Sequence, residues 1–220
     1  MCIRDRPSAD LASNKIHSPA EGMVVSTSEI TEGMALQCKG ESYSIDELLF
    51  GVKSETATIK DGFQSTIYLS PANYHRVHSP CSGMLKSIKY IPGELIPVMP
   101  KCLGLFKGIF KRNERLVFEI ELKSSQSKIF VVMVGSINVG KMVSHYLPDF
   151  ASNSELFWSK NYNSSIQHWK VDHKIKTLDE LGFFSFGSTV VLVCDQEATT
   201  ELGFSGFDLY GSVSLGQSAK

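Results

Sequence analysis

Long apolar runs are missing from this chain. The two longest, Ile129–Val134 and Val190–Cys194, fall far short of the roughly 18–20 residues that cross a bilayer as a helix, so both read as buried strands. Cysteine chemistry is sparse. Cys2, Cys38, Cys81, Cys102 and Cys194 are scattered, with no C-x-x-C and no Cys/His ligand spacing. That argues against a disulfide framework and against a structural metal site, and it predicts free thiols in a reducing compartment. Neither charge is in excess: 22 Lys and Arg stand against 23 Asp and Glu, a net −1. A surface built to grip nucleic acid needs a cationic surplus, so no nucleic-acid partner is expected. Met1–Pro7 lack the apolar stretch of a secretory signal. They share no pattern with the residues after them, and residues 1–17 are expected to be a disordered or truncated start ahead of one domain over 18–220.

What is present is an ordinary globular composition, 42% hydrophobic and 20% charged over 220 residues, enough to build a core without staples. Ser18–Glu29 reads as a turn feeding a strand at Met23–Val25. Ser44 followed by Glu47 predicts a capped short helix that ends at Gly51. Gly62–Ser70 has strand composition and Pro71 stops it, opening a compact loop to Pro80. Met84–Ile96 predicts a hairpin turning at Pro92-Gly93. Leu116–Leu122, Ile129–Val134, Val139–Ser144 and Val190–Cys194 predict further strands, and Asn153–Ser165 a surface insertion. Short strands between turn signals, with one or two short helices, predict a mainly β fold, a single barrel- or sandwich-like domain.

Two stretches carry chemistry in combination. Tyr74-His75-Arg76-Val77-His78 sets two imidazoles three apart inside the proline-bounded loop; alone, such histidines cap turns as readily as they catalyse. Gly187-Ser188-Thr189 stands between a Phe/Gly-rich approach and an apolar strand; alone, it is a common turn. With their neighbours they resemble the phosphatidylserine decarboxylase family. The resemblance runs in order through SPAEG (18–22), KGESYSIDELL (39–49), YLSPANYHRVHSPCSG (68–83), LFKGIFKRNER (105–115), VGSINVGKM (134–142) and ELGFFSFGSTVVLV (180–193). Four positions depart from the family pattern: Glu21 and Asn73 stand where the family has Asp, and Thr177-Leu178 where it has Lys-Gly.

The resemblance implies a zymogen, a lyase of phospholipid biosynthesis that makes phosphatidylethanolamine. Ser188 attacks the carbonyl of Gly187 and the chain divides into a β piece (1–187) and an α piece (188–220), which remain partners. Gly187 suits the attack because it has no Cβ in the way. Ser188 becomes a pyruvoyl group, the cofactor, which forms a Schiff base with phosphatidylserine and draws off electrons during decarboxylation. By correspondence with the family, His78 is the base for cleavage, Glu21 orients it as the acid of a serine triad does, and His75 handles the proton during decarboxylation. Tyr74 and Arg76 are structural, with Arg76 an outside candidate for an anion contact. Lys101–Arg115 carries five cations against Glu114, with Leu105, Phe106, Ile109 and Phe110 at helical spacing. That suits either an anionic membrane surface or a core-facing element with a solvated side. Peripheral attachment to the cytoplasmic side of a membrane is expected, and a homo-oligomer stays open. Two other functions stand beside this one: a family-derived lipid-binding protein that no longer cleaves, and a pyruvoyl decarboxylase of another amine.

Overall fold

The computed structural model describes residues 15–38, 41–137, 141–153, 165–208 and 211–219. An eight-stranded antiparallel sheet dominates, in the order β10-β6-β7-β8-β12-β4-β1-β13. In chain order its strands are β1 (Gly22–Ile30), β4 (Gly62–Tyr68), β6 (Gly83–Ile91), β7 (Arg115–Glu121), β8 (Lys128–Val134), β10 (Gln167–Ile175), β12 (Thr189–Asp195) and β13 (Ser212–Val213). A three-stranded sheet of β5 (Arg76–His78), β11 (Glu180–Phe184) and β9 (Met142–Ser144) covers one face. The hairpin β2–β3 (Met34–Cys38, Glu41–Ser44) and helices α1 (Ile45–Phe50) and α2 (Ile109–Arg112) cover the other. A third helix, α3 (Gln196–Glu201), follows β12.

With both faces of the large sheet covered, its central strand has no polar side, and β12 is apolar almost throughout. Val190, Leu192 and Cys194 join the core under the small sheet. Val191 and Val193 join the core under α1 and α2. The mainly β sandwich-like fold expected from composition is the one observed. Its α1 begins as read: Ser44 accepts from the backbone N–H of Glu47, and Gly51 closes the helix at φ 76°, a conformation glycine adopts without a steric penalty. Cys81, Cys102 and Cys194 are free thiols.

Three expectations need correction. Met84–Ile96 is not a hairpin: β6 pairs with β7 and β10, and after Pro92 the chain leaves the sheet. Gly93 lies so close to Arg112 and Asn113 that a Cβ would come 2.2 Å from a carbonyl oxygen, and Glu94 bonds across to Arg112 and Glu114 instead. Within Lys101–Arg115, only Ile109–Arg112 is helical. Ile109 and Phe110 are buried there while Leu105 and Phe106 are exposed. Lys107, Lys111 and Arg112 are paired with Glu41, Glu47 and Glu94, so most of the local positive charge is balanced. The folded unit also reaches back past the expected start: Ile16 is buried, and His17 donates its backbone N–H to Pro80. The expectation for residues 1–14, most of the insertion (154–164) and the start of the strand drawn over Val139–Ser144 lie outside the described residues; its observed part is β9.

Candidate active site

The Gly187-Ser188 peptide lies where the chain crosses from the small sheet into the large one. Ser185 and Phe186 are exposed, Gly187 is half-buried, and Ser188 is fully buried. The next residue, Thr189, opens β12 and pairs with Tyr68 of β4 on one side and Val134 of β8 on the other. Those neighbours clamp the peptide. The Ser188 carbonyl accepts from the Leu69 N–H at 2.7 Å, and its hydroxyl donates to the Val134 carbonyl. Gly187 presses on the backbone beyond β4, where a Cβ would come 2.5 Å from the Leu69 oxygen. No side chain fits at this position.

The loop after β4 gathers the other groups on that side. Asn73 closes a turn: its Oδ1 accepts from the backbone N–H and the hydroxyl of Ser70 at 2.8 and 2.7 Å. Its amide nitrogen then points 3.4 Å from Glu21 Oε1. Two of the positions that depart from the family pattern, Glu21 and Asn73, therefore touch. His75 lies 2.9 Å by its Nε2 from the Ser70 carbonyl, an acceptor that makes this nitrogen the protonated one and leaves Nδ1 as the acceptor in the neutral ring. Its ring centre is 6.0 Å from that of Phe186. A cavity of about 570 Å³ opens beside these groups, lined by Glu21, Met23, Tyr68, Ser70, Asn73 and the Ser212–Ser214 segment.

His78 is placed differently. It is buried, its Nδ1 is 2.8 Å from the Leu178 carbonyl, and its Nε2 is 3.1 Å from the Tyr74 hydroxyl. The carbonyl fixes the tautomer: Nδ1 carries the proton and Nε2 accepts from Tyr74. A backbone oxygen thus orients the ring at Nδ1. The Ser188 hydroxyl donates to Val134, so the proton transfer expected from Ser188 to His78 is not prepared by a hydrogen bond between them here. The His78 backbone N–H does bond to Pro19, which ties it to the segment that carries Glu21. Leu178 holds its carbonyl in place with φ 65°, a left-handed conformation costly for a residue with a Cβ. It occupies the second position of the family's Lys-Gly, the glycine.

Arg76 forks onto Glu180 at 2.5 and 2.8 Å and sits 5.5 Å over Phe183, which fits a structural role. Thr189, to which the sequence assigns no role, has a buried hydroxyl that makes no hydrogen bond among the described residues. Such an orphan costs about 1–3 kcal/mol. The Ser212–Ser214 wall carries no signal in the sequence, because it enters the site through long-range contacts, as does the Leu178 carbonyl that meets His78.

Comparison with known proteins identifies a family. The family model described as phosphatidylserine decarboxylase matches residues 3–218. The chain is similar to proteins named phosphatidylserine decarboxylase proenzyme in Methylobacillus flagellatus (35% identical, over 96% of this chain and 72% of that protein), Nitrosococcus oceani (34%, 86% and 59%) and Brevibacillus brevis (35%, 82% and 62%). It therefore spans about three fifths to seven tenths of the length of these relatives.

Proposed function

The chain belongs to the phosphatidylserine decarboxylase family, a family of carboxy-lyases, and from that premise we propose that it is a self-processing decarboxylase of phosphatidylserine. The observation that carries the reading is the clamped Gly187-Ser188 peptide, a buried serine hydroxyl behind a residue with no room for a side chain. In the first step Ser188 Oγ attacks the Gly187 carbonyl carbon, the C–N bond breaks, and an ester forms with a free amine on residue 188. Elimination then releases the Gly187 carboxylate and leaves dehydroalanine. Water adds, ammonia departs, and a pyruvoyl group remains at the head of Ser188–Lys220.

Deprotonation of Ser188 requires its hydroxyl to leave Val134 and a base to receive the proton. His78 is our candidate, with Nε2 as the receiving atom once the Tyr74 hydroxyl yields it. Glu21 acts from the other side of the loop through Asn73. The pyruvoyl group supplies a ketone that withdraws electrons from an amine-bearing substrate. The site suits it in two respects: the Gly187 cradle admits no bulk, and Thr189 has an unengaged hydroxyl at the adjacent position. His75, half-buried at the exposed Phe186, is our candidate for moving the substrate proton. The cavity volume lies within the range of sites for small polar ligands, enough for a headgroup while acyl chains stay outside. We further propose peripheral attachment to a membrane; no helix among the described residues is long and apolar enough to cross one.

Intact mass spectrometry tests the proposal. The purified chain should appear as 1–187 plus a 33-residue fragment blocked at its new terminus, and Ser188→Ala should remain whole at 24.3 kDa. A folded wild-type chain that stays whole overturns it and favours a lipid-binding protein, the reading to which the engaged Ser188 and His78 lend weight. Carbon dioxide release from phosphatidylserine vesicles, against free serine, separates the lipid substrate from another amine.

A further inference from the structure

Half of the exposed large apolar side chains among the described residues lie on one set of connected segments. Leu95, Met99, Leu105, Phe106 and Ile137 are each between 37% and 74% exposed, and the backbone holds their segments together. Ile137 donates its N–H to Leu95, Leu105 to Cys102, and Cys102 to Met99. Ser136 Oγ receives the N–H of Val98. Ser136 and Ile137 follow directly on Val134 of β8, the residue that accepts the Ser188 hydroxyl, and through Leu95 and Val98 they tie the segment to that end of the strand. Tyr68, a wall of the candidate cavity, lies at the same end of the sheet, since Thr189 pairs with Tyr68 on one side and Val134 on the other. On the other flank Phe186 stands exposed beside His75.

We propose that this apolar rim, Leu95–Phe106 with Ile137, is a docking surface for an anionic phospholipid bilayer that brings the headgroup to the cavity walled by Tyr68, the residue paired with Thr189 next to Ser188. The inference rests on the decarboxylase reading for its substrate. Its occupant is argued from position and charge. A lipid with two long tails reaches a buried serine only if the protein meets the membrane at the mouth of the site. Lys101, within the rim, and Lys141, whose carbonyl accepts from Ser185 in the approach to Gly187, have no acidic partner among the described residues. The neighbouring Lys107, Lys111 and Arg112 are already balanced by glutamates. Two unbalanced cations around inserted apolar side chains match lipid phosphates above acyl chains.

The test is flotation with phosphatidylcholine vesicles doped with phosphatidylglycerol, using the whole chain. Leu105→Ser with Phe106→Ser should reduce partitioning roughly tenfold or more while leaving the thermal midpoint and the cleavage products unchanged. Lys101→Glu with Lys141→Glu should weaken binding to doped vesicles and leave the weaker binding to pure phosphatidylcholine in place. The proposal is overturned if the wild-type chain fails to float, or if the Leu105/Phe106 variant floats as well as the wild type. It is overturned too if sedimentation velocity finds a dimer that this variant dissociates, since the rim would then be a contact between two copies. Vesicle binding that depends on the rim in a chain that never cleaves upholds the surface and removes the decarboxylase reading, so the two failures are distinct.

Discussion

Asn73 turns its amide nitrogen toward Glu21, so two single-residue departures from the family pattern form one feature. A carboxylate at 73 would set two negative charges against each other across that contact, whereas an amide donates. The longer Glu21 side chain and the amide at 73 are thus mutually suited. Asn73→Asp alone is expected to slow self-cleavage about tenfold, Glu21→Asp alone to slow it less, and the double variant to recover part of the loss, a coupling of about 0.5–3 kcal/mol. Time-resolved gel mobility of freshly synthesised chains measures all three, and additive losses would show that the contact has no influence. Sequence named both positions as departures, but only the loop geometry brings them together. The same limit applies to Leu178. In sequence it is an apolar residue before a strand, whereas in the fold it adopts a left-handed backbone conformation, with its carbonyl fixing the tautomer of His78. Motif reading supplies residue types and order, while hydrogen-bond partners a hundred positions away come only with the fold.

Elements were legible where one physical signal dominated. β12 and β8 are strands because five or six β-branched and apolar residues in a row need cover on two faces. α1 was legible because its cap chemistry is local. β10 was not. As the edge strand of the large sheet it carries His168, Lys170, Asp172, His173 and Lys174, all exposed, and charge on an edge strand hides its pairing while protecting it from other chains. Arg115 illustrates a tie between elements that no pattern announces. It is 1% exposed, and its guanidinium donates to the carbonyls of Glu47 and Leu48 at the end of α1 and to that of Asn113. Burial, partly offset by the charge of Glu47, lowers its pKa to about 10, which leaves it ionised at neutral pH. Replacing Arg115 by Met keeps the aliphatic stem but strands the carbonyls of Leu48 and Asn113, while that of Glu47 keeps only the Gly51 N–H. A loss of about 3 kcal/mol is expected, read as a lower denaturant midpoint with little change in slope; an unchanged midpoint would mean that water replaces the guanidinium.

At the scale of the molecule, the proposed cut falls at a threshold rather than inside a ladder. Thr189 is the first residue of β12 paired to β4 and β8, so breaking the 187–188 bond leaves the strand hydrogen bonds intact. Everything after the cut is threaded through the larger piece. Val190–Cys194 are fully buried in the middle of the sheet, β13 pairs with β1, and the tail bonds back to Ile16 and Ser18. Withdrawing the 33-residue segment would expose those side chains at about 1.5–3 kcal/mol each and split the large sheet down its centre. The two pieces are therefore expected to travel together through gel filtration and to part only in denaturant. Cleavage nonetheless changes the thermodynamics: unfolding of one chain becomes dissociation of two, which mass action makes concentration-dependent. The denaturation midpoint of the cleaved protein should rise with protein concentration, whereas that of Ser188→Ala should not. If the processed protein shows no such rise, or sheds the fragment under native conditions, β12 is not the strand that holds the molecule together.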